Sequence, residues 1–145
     1  MVNDSRRIAG AAAGAGLTIS YEYHRNTLTD THAAALRLLR EVDHPAVGTL
    51  WQPYVPCSLE DNLAGLSGVL PWLRNVHVFS WAADRSRLPL AAGLDQWRRY
   101  LAVAGREAAG SDRDVWALLE FVRGDDPDQL LTDAATLHGL LEPLR

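Results

Sequence analysis

Apolar and polar positions change period as the chain is read. "LTISYEY" (17–23) alternates with a repeat of two, the period of a strand. From Thr29 to about Glu41 the apolar residues recur at three- and four-residue spacing, the period of a helix. The same pairing then returns three times. "VGTLW" (47–51) precedes a helix capped by "SLED" (58–61) and weakened by Gly65 and Gly68. "NVHVFSW" (75–81) precedes, after a polar loop, the helical "LDQWRRYLAVAGREA" (94–108). "VWALLEFV" (115–122) precedes "DDPDQLLTDAATLHGLL" (125–141), with Asp126 as cap and Pro127 in the first turn. Ahead of all four lies "DSRRIAGAAAGA" (4–15), a short helix capped by Asn3 or Asp4 and stopped at Gly16.

Strands alternating with helices, at about 30 residues per unit, imply right-handed crossovers and a parallel sheet. The expected class is α/β, one domain over 1–145, with four βα units and a leading helix. The length suits one domain with a sizeable core. A formal net charge of −4 argues against a nucleic-acid-binding surface, which is ordinarily basic. Cys57 is the single cysteine and has no partner for an internal disulfide, so nothing demands an oxidising compartment. The Ala/Gly-rich stretch at 8–17 is too short to span a bilayer, and no signal peptide is legible. A cytoplasmic protein with no membrane or nucleic-acid partner is the expectation.

Each strand carries a polar residue toward its end where a buried strand would prefer an apolar one: Glu22, Gln52, His77 and Glu120. Alternation puts Glu22 on a face with Thr18 and Ser20, and Glu120 on a face with Trp116 and Leu118. A parallel sheet gathers its strand C-terminal ends at one edge, the edge where such sheets bind ligands. Singly, each residue has a bland reading: a solvated or ion-paired glutamate, a structural histidine, an amide in a turn before Pro53. The coincidence of four, one per strand, points to an oxygen and nitrogen site for a hard or borderline divalent cation.

The ordered segments "YEYH" (21–24), "GTLWQP" (48–53), "VHVFSW" (76–81), "LPLAAGLDQW" (88–97) and "ALLEFV" (117–122) resemble the C-terminal half of the xylose-isomerase-like TIM barrels, the sugar phosphate isomerase/epimerase family. The resemblance covers nearly the whole chain from residue 4. It implies a four-stranded parallel (βα)4 half of a (β/α)8 barrel. It also implies a divalent metal ion (Mn, Mg, Co or Zn) on Glu22, Gln52, His77 and Glu120. The implied activity is that of a sugar or sugar phosphate isomerase or epimerase. Its proton transfer, beside a carbonyl, would be performed by the metal-bound glutamates Glu22 and Glu120. His24 is then a candidate contact to a substrate hydroxyl, Arg85 and Arg87 candidates for a phosphate or hydroxyl, and Trp51 and Trp81 candidate walls of the sugar site. Gln52 stands where the better-known enzymes carry Asp, so the set has less negative charge and a lower expected metal affinity.

A full barrel takes about 200 to 250 residues. Half a barrel has two unpaired edges and an open face bearing Leu50, Trp116 and Leu118, which invites a homodimer or a complementary half-barrel chain. The alternatives are a non-catalytic binding or assembly subunit, a truncated relic, and metal-dependent cleavage of DNA at abasic sites. The acidic balance disfavours the last. His32, His44, His138 and Cys57 are expected to be surface, turn or packing residues.

Overall fold

The computed structural model describes residues 1–110 and 113–144. A leading helix α1 (Val2–Gly14) is followed by β1 (Ile19–Tyr21), α2 (His32–Val42), β2 (Val47–Trp51), α3 (Leu59–Val69) and β3 (Leu73–Val78). After β3 come the short strands β4 (Ser80–Trp81) and β5 (Arg87–Leu88), then α4 (Leu94–Gly110), β6 (Trp116–Leu119) and α5 (Pro127–Leu141). Strands β1, β2, β3 and β6 form one sheet in that order, every neighbour parallel. The four expected strand–helix pairs are all present.

Local chemistry explains the boundaries. Thr31 and Ser58 accept from the backbone N–H three residues on and start α2 and α3, and Asp126 starts α5 by accepting from Asp128 N. Helix α1 begins at Val2 with no side-chain cap, and the chain leaves it through Gly16 at φ +70°, a conformation glycine adopts without strain. Helix α2 starts at His32 rather than Thr29, because Thr27 and Thr29 are held in a turn by hydrogen bonds to His24 O and to each other. The strands expected at 17–23 and 115–122 are shorter, at Ile19–Tyr21 and Trp116–Leu119.

The third strand differs most. Phe79 interrupts it, and Ser80–Trp81 pairs antiparallel with Arg87–Leu88. A tight turn closes this hairpin, with Arg85 N donating to Ala82 O and Ser86 N and Oγ donating to Asp84 Oδ1. Those two hydrogen bonds hold the Asp84 carboxyl below its ordinary range.

One face of the sheet is the core. Val47, Trp51, Val76 and Val78 pack there with Leu38, Leu39 and Val42 of α2, Leu66 and Val69 of α3, and Trp97, Tyr100 and Leu101 of α4, all buried. The other face is open: Trp116 is 62% and Leu118 42% exposed. Cα partners in a parallel ladder share a face, so Leu50, Asn75 and Trp116 lie together there, as do His77 and Leu118.

Candidate functional site

Glu22 follows β1 directly and is exposed. His77 lies in β3 opposite Leu118, on the open face. Glu120 follows β6, and its N–H donates to Val78 O at 3.0 Å, which extends the ladder by one residue and keeps its side chain in step with Leu118. The outcome is a cluster in which one ligand atom from each of Glu22, His77 and Glu120 lies within 4.8 Å of the others.

His77 Nδ1 stands 3.1 Å from Glu120 Oε2. Both atoms are buried, and the contact lacks the angles of a hydrogen bond, so each is left without a hydrogen-bond partner among the described residues. Such orphans are costly unless something else satisfies them. A divalent cation held by the carboxylates and the imidazole nitrogen would do so, and the residues therefore fit one. Gln52 borders the adjoining cleft, where its Nε2 donates to Tyr23 O at 3.5 Å.

That cleft gathers His24, Gln52, Trp81 and Arg85 from the residues singled out in the sequence. His24 Nδ1 donates to the Arg25 carbonyl at 2.9 Å, which leaves Nε2 for other partners. Trp51 and Arg87 are not brought to the cleft. Trp51 is fully buried on the opposite face of the sheet, between His32 and Tyr100, because position 51 alternates away from Leu50. Arg87 is turned away to pair with Asp125 and lies over the Phe121 ring, 5.4 Å from its centroid.

Two features escaped the sequence. The first is an aromatic group at the cleft. Phe121 packs with Phe79 and Trp81 at centroid distances of 5.5 and 5.0 Å. Its φ of +53° is a left-handed conformation that costs a bulky residue about 1–3 kcal/mol, and it turns the chain immediately after Glu120. Strain of this kind is held where packing on either side over-determines it.

The second is a hydrogen-bonded chain along the cleft wall. Tyr23 Oη lies 3.0 Å from His32 Nδ1, and His32 Nε2 lies 3.0 Å from Asn62 Oδ1. Gly65 makes room for it, since a Cβ there would collide with the His32 imidazole. His32, expected on a surface or in packing, is thus a half-buried member of a polar network. Burial pulls its pKa below the ordinary 6.5, against the smaller opposing effects of the Asn62 hydrogen bond and the Asp61 charge. Above that value His32 is neutral folded and unfolded, and it costs nothing. As pH falls below about 6.5 the unfolded chain takes up the proton first, so stability drops. The melting temperature is therefore expected to fall between pH 7 and pH 5, and His32→Asn is expected to flatten that fall. A parallel slope in the variant would assign the acid sensitivity elsewhere.

No protein-family model and no curated protein matches the chain. Two solved structures are similar to it. One is the probable 3-DHS dehydratase AsbF involved in petrobactin synthesis from Bacillus anthracis, at 24% identity and a TM-score of 0.70, over 94% of this chain and 54% of that one. The other is D-psicose 3-epimerase, solved with D-tagatose, from Clostridium cellulolyticum H10, at 19% identity and a TM-score of 0.67, over 99% of this chain and 55% of that one. The chain thus spans about half the length of the structures it matches. No helix among the described residues is long and apolar enough to cross a membrane. Four parallel strands with their helices, matched along about half of each of these two chains, give this chain the fold of a (βα)4 half of a TIM-type (β/α)8 barrel.

Proposed function

We propose that the chain carries a divalent-metal-dependent sugar isomerase or epimerase site, built on Glu22, His77 and Glu120 with Gln52 beside them. The observation that carries this reading is the convergence of three ligand atoms within 4.8 Å at the strand C-terminal edge, next to a cleft. The name of one of the two similar structures, an epimerase of a ketose, supports the substrate class. When bound, a divalent cation supplies Lewis-acid polarisation of a substrate carbonyl. The residues of the chain do the rest. Glu22, the more exposed carboxylate, takes a proton from the carbon beside the carbonyl in this reading, and Glu120 returns one. Return to the same carbon on its opposite face is epimerisation, and return to the neighbouring carbon is isomerisation. Trp81 walls the sugar, and His24 and Arg85 meet its hydroxyl or phosphate groups.

Incubation with manganese and D-psicose or D-tagatose in deuterated water tests this. Deuterium is expected at the carbon next to the carbonyl, and omission of the metal is expected to abolish it. Metal uptake without exchange would remove the catalytic part of the proposal, and no uptake would remove the site.

One observation favours a second reading, a binding or assembly subunit. Exposed Trp116 and Leu118 lie on an open sheet face whose edge strands β1 and β6 have no further neighbour among the described residues. A second copy or a complementary half-barrel covering that face would close the sheet. Light scattering reads this directly, as a dimer that Trp116→Glu converts to monomer.

A further inference from the structure

We propose that Tyr23, aimed by His32, is a specificity-determining acceptor in the cleft that selects a ligand hydroxyl over a carbonyl, carboxylate or phosphate oxygen. The inference rests on the sugar-site reading and adds a polarity to one wall of it.

The network is anchored at its Asn62 end. The Tyr54 backbone N–H donates to Asn62 Oδ1 at 2.7 Å, while Asn62 Nδ2 donates to Tyr54 O at 3.2 Å and Cys57 O at 3.4 Å. A backbone N–H can only donate and a backbone carbonyl can only accept, so the orientation of the amide is settled by its loop. Asn62 Oδ1 is therefore an acceptor toward His32, and His32 Nε2 must carry the proton. His32 is half-buried and held neutral, so its Nδ1 bears a lone pair. Tyr23 Oη must then donate to it.

The consequence is a phenol whose single proton is committed. Its oxygen has lone pairs left and no hydrogen to offer. Tyr23 and His32 both border the cleft, and the Tyr23 carbonyl is the group that Gln52 holds. A ligand O–H can donate to such an oxygen. A ligand oxygen that only accepts gains no hydrogen bond from Tyr23, whose single proton is already given to His32, and meets only its lone pairs. The wall therefore suits a polyol, with a hydroxyl meeting Tyr23 while the carbonyl end lies elsewhere.

Two measurements on the whole chain test it. Nitrogen-15 NMR of His32 is expected to show the Nε2-protonated tautomer near pH 7.5 without any ligand. An Nδ1-protonated ring would overturn the inference and leave the sugar-site reading standing. Calorimetric titration with D-tagatose in the presence of manganese is expected to show roughly tenfold weaker binding by Tyr23→Phe, the loss of about one hydrogen bond. Metal binding in that variant is expected to be unchanged. A monodeoxy tagatose lacking the contacting hydroxyl is expected to bind both proteins alike. Equal tagatose binding by wild type and Tyr23→Phe would overturn the inference alone. Failure of the wild type to bind any of these sugars would overturn the sugar-site reading and this inference with it.

Discussion

Trp51→Ala is expected to destabilise the fold by about 3–5 kcal/mol, the cost of emptying a large, fully buried aromatic site. The indole lies between the His32 ring, parallel at 14°, and the Tyr100 ring at 62°, so its removal opens the seam between the sheet, α2 and α4. Trp51→Phe is expected to cost much less. The indole N–H is buried with no acceptor among the described residues, and phenylalanine discards that orphan while filling most of the volume. Urea titration separates the two variants by midpoint at constant slope. Manganese uptake per folded chain is expected to be unaffected in both, because Trp51 faces the core while the proposed ligands Glu22, His77 and Glu120 gather on the open side. A Trp51→Ala protein of wild-type stability with weakened sugar binding would return this residue to the sugar wall.

Trp51 also shows where the sequence could be followed and where it could not. Period two and period 3.6 identify the sheet and its helices, because a parallel sheet with helices on it imposes those periods on nearly every buried position. The same alternation, applied outward from the strand ends, brings Glu22, His77 and Glu120 to one face. It also assigns Trp51 to the core, since Leu50 lies on the open face. Proximity to Gln52 in sequence was the weaker guide. Arg87 was illegible for another reason: its partner, Asp125, is 38 residues away, and a long-range ion pair leaves no periodic trace. Asn62 gave no signal at all. Its role depends on the backbone of the 54–57 loop folding over the start of α3, and only three-dimensional structure puts those carbonyls in reach. The hairpin after Phe79 is likewise a tertiary matter, since "VHVFSW" reads as one unbroken strand and the aromatic packing of Phe79, Trp81 and Phe121 divides it.

Glu120→Gln separates a metal centre from a chance meeting of polar side chains more sharply than any other change. The amide keeps the shape of the carboxylate and removes its charge. Without metal, the wild-type protein holds two carboxylates and an imidazole within 4.8 Å, an arrangement whose like charges repel. The metal-free variant is therefore expected to melt at the wild-type temperature or slightly above it. With manganese the order reverses. A cation at a hundred times its dissociation constant stabilises the wild type by about 2.7 kcal/mol. Loss of a ligand charge is expected to weaken affinity at least about a hundredfold, past the loss typical of outer-shell changes, and to remove nearly all of that shift. The solvent-exchange rate with a ketose is expected to fall by about 10²–10⁴ for want of the second acid–base group. Glu22→Gln is expected to lose both as well, because each carboxylate is needed to hold the cation and to move a proton. If both variants instead gain as much from manganese as the wild type does, the cation binds elsewhere. The pairing of His77 with Glu120 is then a structural contact at the end of a sheet.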